Sequence, residues 1–397
     1  MHASVLLVLA SALLGTAHPG HHEETHPSLL AARHSHHGLA RRGLEACKNT
    51  KVYRDLQARA IVRRADAIDY HRALRKHKRA VDSAGTGHNQ TSSHVGVDVS
   101  TPSVDIFGSN HTCILNPEGE IGPFWVKGEH IRSDLRDNEP GVEVVLDGQF
   151  IDVETCEPIT DLYWDLWNCN STGVYSGVQE SSNGNGDDAS NLNKTFLRGV
   201  QKTDADGVVQ FQTIFPGHYG GRTNHHHMAS PSPPPPPPPL FEHPLQSTHT
   251  NDSQVAFLDA TVQPNNTLLS THAAHVGQLF WDQDLVQAVE ALYPYNTNTV
   301  EQTLNADDHV VSDELGSNAD SDPFFQYAYL GDSVEEGLFG WITIGINRTA
   351  SYDTSYSFEL TEAGGVAVEN SSGFVGGGDA PSGVPSGSAP PSTATAA

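Results

Sequence analysis

Beyond about residue 104, apolar and polar positions alternate with period two over Val142 to Val153, Leu162 to Cys169, Val208 to Phe215 and Phe339 to Ile346. That spacing predicts strands, because successive strand side chains point to opposite faces. In the last of these runs Ile342, Ile344 and Ile346 share one side. Many short strands of this kind imply a mainly β fold with a β-sandwich core. Asp147-Gly148 reads either as a two-residue hairpin turn or as a bulge within one long strand. Earlier in the chain Leu56, Ala60, Ile61, Ala65, Ile68 and Leu74 recur at helical spacing, which predicts a helix over 48–78. Leu285, Val289 and Leu292 predict a short helix ending before Pro294.

Composition divides the chain further. Residues 1–17 carry a short apolar run followed by small residues, the pattern of a cleaved secretory signal peptide, too short to span a bilayer. Residues 18–82 are basic and His-rich, with dibasic pairs at Arg41-Arg42, Arg63-Arg64 and Lys78-Arg79. They are either a pro-segment trimmed at those pairs or a basic helix lying on an acidic body. Residues 83–103 read as a Ser/Thr/Gly linker and 104–362 as one catalytic domain. Residues 363–397 form a Gly/Ser/Pro tail that cannot bury enough apolar surface to offset its ordering entropy and is expected to be disordered. Within the domain, roughly 229–248 includes the uninterrupted run Pro233 to Pro239, which has no amide donors and cannot be a central strand. Its abrupt composition marks it as an insertion or a mis-joined coding segment; sequencing the transcript separates these.

The charge split narrows the partners. Residues 1–82 hold 14 of the 22 Lys and Arg, while the other 315 residues hold 8 against 41 Asp and Glu. A body so acidic argues against nucleic acid and anionic membrane. Eight Asn-x-Ser/Thr sequons, at Asn89, Asn110, Asn170, Asn193, Asn251, Asn265, Asn347 and Asn370, fit export and an extracellular glycoprotein. The four cysteines, Cys47, Cys113, Cys156 and Cys169, allow three pairings. Cys156 with Cys169 is the expected one, with Cys47 lost if a pro-segment is removed. Asp204, Asp206 and Gly207 read as a turn before a strand rather than as a calcium loop.

The stretch Phe215-Pro-Gly-His-Tyr219-Gly-Gly-Arg222-Thr-Asn-His225-His-His227 carries the densest chemistry. If it ends in an extended strand, His225 and His227 face the same way as a ligand pair, and the glycines permit a turn that returns Tyr219 towards them. A three-histidine run alone is equally a surface cluster or an adventitious zinc site. Tyr175 and Tyr219 taken singly are packing tyrosines, Arg222 alone an offset to the acidic body, and Trp164 and Trp167 core.

Spacing changes these odds. Asp165-Leu-Trp167, Gly173 and Tyr175 form a D-hydrophobic-W-x5-G-x-Y element upstream of the P-G-x-Y…R-x-x-H-x-H element. Together with Cys113 to Trp125, Ile131 to Asp134, and His275-Val-Gly-Gln278-Leu-Phe, they resemble the intradiol ring-cleavage dioxygenases over about residues 110–350, in particular their secreted fungal branch. The resemblance implies Fe(III) as cofactor, with Tyr175 and His225 as equatorial ligands and Tyr219 and His227 as axial ones. It places Arg222 and Gln278 beside the substrate and makes Tyr219 a built-in base. Pro123, Phe124 and Trp125 are the implied pocket lining. The implied partners are a small aromatic diol and O2, the implied product a cis,cis-muconate; the sequence leaves oligomeric state open. Hard Fe(III) suits anionic oxygen donors such as phenolates.

Two departures stand out. The residue between the ligand histidines is usually apolar in that family and here is His226, which on the core face of a strand needs a partner to offset its burial. The proline-rich segment follows directly. The rival reading is a secreted binding or structural glycoprotein on the same sandwich that has lost iron.

Overall fold

The structure is a computed structural model that describes residues 42–79, 106–107, 112–113, 124–185, 187–229, 260–270, 272–315, 322–348, 352–353, 358–361 and 364–367. The expected signal peptide, linker and proline run lie outside these. Its strands in chain order begin with β1 (Thr112–Cys113), β2 (Val126–Lys127), β3 (Glu143–Asp152), β4 (Tyr163–Trp167), β5 (Arg198–Lys202), β6 (Val208–Ile214) and β7 (His225–Ala229). They continue with β8 (Thr261–Val262), β9 (Leu268–Leu269), β10 (His272–Ala273), β11 (Val276–Phe280), β12 (Gln326–Tyr329), β13 (Leu338–Ile346), β14 (Tyr352–Asp353), β15 (Phe358–Thr361) and β16 (Gly364–Ala367).

Two sheets dominate. One runs β1-β13-β3-β6 with β12 also paired to β13, and the other runs β11-β7-β4-β5. A single hydrophobic cluster draws on both: Val144, Leu146 and Phe150 of β3, Phe211 of β6 and Ile342, Ile344 and Ile346 of β13 meet Trp164, Leu166, Met228 and Leu279. The Trp164 ring lies edge-on to Phe150 and Phe211, 5.5 and 5.4 Å between centroids. The mainly β expectation therefore holds, and the shared face of Ile342, Ile344 and Ile346 is the core face. Asp147-Gly148 is neither hairpin nor bulge. It sits inside β3, in unbroken register with Trp341-Ile342 of β13, and a Cβ on Gly148 would overlap the Trp164 ring at 2.0 Å.

The outer face of the first sheet is covered by the helix Lys51–Arg79, close to the expected 48–78. Ala65 and Ile68 pack with Val145, Phe339 and Trp341. The helix is also tied by charge, as Arg63 and Arg64 both reach the buried Asp147 carboxylate at 3.0 and 2.6 Å. Arg59 pairs with Asp206, and Arg75 with Glu143. The basic helix thus lies against the acidic body. Arg64 is fully buried within it. Leu74, placed in the apolar set by its spacing, is half exposed, while Arg64 and Arg72 take buried positions on the helix.

The expected Cys156–Cys169 pair does not form. Cys156 bonds to Cys47, with Cα atoms 5.2 Å apart across 109 residues of chain, and Cys169 is a buried thiol donating to the Gly217 carbonyl at 3.2 Å. The segment leading into the helix sets Cys47 against the loop after β3, where Leu44, Tyr53, Ile151 and Val153 cluster with the bridged pair. The helix Gln283–Glu290 ends before Pro294 as expected, capped by the Asp282 side chain accepting from Leu285 N at 2.9 Å. Asp204 to Gly207 form the turn into β6. β16 pairs with β15 inside the stretch expected to be tail, so ordered pairing continues past residue 362. No described helix is long and apolar enough to cross a membrane.

Candidate metal centre

The sheet β11-β7-β4-β5 has two faces of opposite character, and strand alternation creates them. His226 and Met228 of β7, with Trp164, Leu166 and Leu279, look into the core. His225 and His227 look the other way. Register lines up a row across all four strands on that second face, Gln278 opposite His227, His227 opposite Trp167, and Trp167 opposite Arg198. Trp167 stacks flat on the His227 imidazole, 5.0 Å between centroids and 5° between planes. This tryptophan, core on the sequence reading, fixes the orientation of a site histidine.

Two loops bring the tyrosines over this face. Tyr175 is held through its backbone: its N–H donates to Asn183 Oδ1 at 2.8 Å and its carbonyl accepts from Asn183 and Asn191 at 2.9 and 2.7 Å. Tyr219 sits in a turn closed by the Arg222 N–H donating to the Tyr219 carbonyl at 3.1 Å. The loops pass in contact at Gly173, whose φ is +88° and where a Cβ would strike the His218 carbonyl oxygen at 2.2 Å. The glycine of the G-x-Y element is thus required by the neighbouring P-G-x-Y turn.

Four donor atoms converge. Tyr175 Oη lies 3.0 Å from His227 Nε2 and 3.3 Å from His225 Nε2. Tyr219 Oη lies 3.2 Å from His225 Nε2, and the two histidine Nε2 atoms are 3.1 Å apart. His225 Nδ1 is 2.6 Å from the Thr223 carbonyl, so it carries the proton and leaves Nε2 as a lone pair aimed at the cluster. First-row metal ions hold N and O donors at about 2.0–2.2 Å, so donors at right angles about one ion stand about 3 Å apart. The spacing and the two-oxygen, two-nitrogen donor set fit a single hard cation. Burial, with Tyr219 beside it, pushes the Tyr175 phenol well above its usual range, so ionising it needs a positive charge at Oη. Among the described residues no trio of His, Cys, Asp or Glu offers an alternative metal site.

Arg222 and Gln278, both expected beside the substrate, touch each other. Arg222 is fully buried, donates through Nη2 to Gln278 Oε1, and pairs through Nε with Asp308 at 2.9 Å. Asp308 also accepts from Thr223 N at 2.8 Å, and Glu314 from Gln278 N at 3.1 Å. Arg222 therefore answers one specific carboxylate rather than the general acidity of the body. Glu290 Oε1 gathers His218 Nδ1 at 2.9 Å and Asn224 Nδ2 at 2.6 Å, the residues just before Tyr219 and His225. Asp308, Glu314, Glu290, Asn183 and Asn191 carried no sequence signal because each acts across the chain.

Phe124, an expected pocket-lining residue, packs on Tyr175 and Tyr219, with centroids at 5.0 and 6.0 Å. Trp125 instead donates to Asp165 Oδ2 at 2.9 Å and leans on Trp167, one residue removed from the donor cluster. Pro123 lies outside the described residues. His226 finds the partner its burial demands, with Nδ1 3.2 Å from Asn168 Oδ1, and burial holds its pKa down to about 3, so the ring is neutral. β7 keeps its pairing on both sides through Ala229, where the expected insertion begins.

A family model described as Dioxygenase matches residues 122–230, a stretch containing Tyr175, Tyr219, Arg222, His225 and His227 and ending before Gln278. No curated protein matches the chain. Among solved structures, it is similar to an intradiol ring-cleavage dioxygenase from Tetranychus urticae, 26% identical, covering 59% of this chain and 95% of that one with a TM-score of 0.41. It is also similar to the dioxygenase domain of a carbohydrate-binding fusion protein from Streptomyces sp. SirexAA-E, 20% identical, covering 58% and 97% with a TM-score of 0.31. A third similar structure is catechol 1,2-dioxygenase from Pseudomonas arvilla C-1, 17% identical, covering 59% and 62% with a TM-score of 0.33.

Proposed function

We propose that this chain, which matches a dioxygenase family model over residues 122–230, is an extracellular Fe(III) enzyme of the intradiol type that cleaves a catechol-type diol between its hydroxyl-bearing carbons to give a cis,cis-muconate. The observation that carries the reading is the convergence of Tyr175, Tyr219, His225 and His227, whose donor atoms are joined by four contacts of 3.0–3.3 Å. In this reading those four hold the ion, and Arg222 and Gln278 lie beside the substrate.

A bound ferric ion supplies Lewis acidity and one-electron redox capacity to the pocket. The protein's own groups do the rest. Tyr219 is the less buried of the two phenols, and its Oη is the atom that takes a proton from the incoming diol, which makes it the base. Arg222, immobilised by Asp308 and Gln278, presents a fixed N–H array to negative charge developing on the substrate. Phe124 covers both phenol rings and excludes water from that side. Export is supported by the Cys47–Cys156 disulfide, which persists in oxidising compartments, and by exposed sequon residues Asn193 and Asn265.

Iron content, visible colour and oxygen uptake with a panel of catechol, hydroxyquinol and protocatechuate test the proposal together. Red-brown protein that consumes O2 with one of them is the expected result, and Tyr219→Phe should weaken the colour and lower turnover. Folded protein that takes up no iron and stays colourless sinks the reading and leaves the rival, an iron-free binding glycoprotein.

A further inference from the structure

The same sheet face buries three charged groups that the proposed chemistry does not use. Glu129, Asp165 and Arg198 are each nearly inaccessible. Arg198 donates from Nη1 to Glu129 Oε1 at 3.1 Å, from Nη2 to the Phe124 carbonyl at 2.6 Å and from Nε to the Ser176 carbonyl at 2.9 Å. Its guanidinium carbon stands 5.8 Å from the centroid of the Tyr175 ring. One side chain therefore grips the residue after Tyr175, the backbone of the phenylalanine that packs on both tyrosines, and the face of the Tyr175 ring itself. Asp165 lies beside Glu129 and accepts from Trp125 Nε1 at 2.9 Å. Burial pushes both carboxyls above the usual carboxylate range, and the Arg198 guanidinium draws them back.

Burying such a trio gains little stability over apolar residues of equal volume. Its geometry points elsewhere. We propose that Arg198 is a positioning residue for Tyr175: it fixes the ring from behind and, as a cation over the ring face, sets how readily that phenolate gives up electron density to a bound ferric ion. The proposal rests on the iron reading above. A positive charge beside the ring lowers the energy of its filled orbitals. Removing it raises them, and removing its counter-charge lowers them further.

The test is the tyrosinate-to-iron absorption band of the full chain loaded with iron. Arg198→Met should move the band to longer wavelength, and Arg198→Lys, which keeps the charge, should bring it back towards the parent. Glu129→Gln combined with Asp165→Asn, which leaves the guanidinium uncompensated, should move it to shorter wavelength. Opposite shifts support the proposal. An unmoved band in the folded, iron-loaded Met variant overturns it, as do shifts of the same sign. Should Arg198→Met fail to fold, the double carboxyl variant decides alone, a parental band overturning the proposal. A parent that binds no iron overturns the iron reading and this proposal together, whereas a coloured parent with unmoved variants overturns only this one.

Discussion

The helix-covered sheet and the donor cluster both place ionisable groups out of water, and they settle the cost in different ways. At the helix, Asp147 is met by Arg63, Arg64 and Gln210, so the charge is answered by the protein and its carboxyl is held below the usual range mainly by the two guanidiniums against burial. At the cluster, two phenol oxygens and two imidazole nitrogens face one another. The first arrangement is complete within the chain and serves stability. The second, on the proposed reading, is completed by a metal ion, which makes it the functional region.

That contrast is broken most directly at Tyr175. Tyr175→Phe removes one donor and leaves a ring of the same shape among Phe124, Trp167 and the histidines. Colour and turnover should fall by more than the roughly 100-fold typical of losing a mere supporting residue around a metal. The midpoint of denaturant unfolding in the iron-free protein should barely move. If Tyr175→Phe keeps iron and colour, the cluster is packing and the comparison collapses.

Asp147→Asn should show the reverse pattern. It strands two guanidiniums, one fully buried, and by analogy with other broken buried pairs should cost about 3–5 kcal/mol of stability while leaving the colour of the surviving folded protein unchanged. The parent's dependence on pH follows from the same pairing. Because the folded carboxyl sits below its unfolded value of about 4, its stabilisation is complete above that pH and drains as pH falls below it. The Asn variant should lack this part of the acid limb in urea melts taken from pH 5 to pH 2. A variant as stable as the parent would show that the helix is held by its apolar contacts alone.

The disulfide sharpens the same side of the comparison with a slightly smaller effect. Cys47→Ser should cost about 2–5 kcal/mol, the usual range for removing a native bridge, again without touching the metal band. If the helix is a removable pro-segment, stability and activity both survive the change. Intact mass under reducing and non-reducing conditions, with N-terminal sequencing of secreted protein, checks that the bridge retains the helix.

These two regions also differ in what the sequence discloses. The donor cluster was legible through a family resemblance, which two local elements carry: a period-two histidine pair, and two tyrosines that each stand two residues after a glycine. The residues that support it were not, since Asp308, Glu290 and Asn183 act through contacts between segments far apart in sequence. On the helix, apolar spacing gave the element and its extent, yet it chose Leu74, which is exposed, and passed over Arg64 and Arg72, which are buried. Hydrophobic periodicity assumes that buried positions are apolar, and here a carboxylate and a carbonyl inside the sheet call for guanidiniums instead. The pairing of Cys47 with Cys156 was hidden for the same reason.

The smallest effect is expected at the one position that belongs to both kinds of environment. His226 lies between the two candidate ligands but on the core face, edge-on to Trp281 and Phe325. Its Nδ1 has Asn168, while its Nε2 has no hydrogen-bond partner. Asn168 Oδ1 also accepts from Thr213 Oγ1 at 2.9 Å, so that oxygen stays satisfied if the imidazole is replaced. His226→Leu therefore removes a half-satisfied buried ring and strands nothing. An unsatisfied buried polar atom costs about 1–3 kcal/mol, so the variant should match or exceed the parent by about 1 kcal/mol in urea melts and keep its colour. Loss of colour with the fold intact would show that the core face of β7 helps set the geometry of the ligand face, and the separation of the two faces would have to be given up.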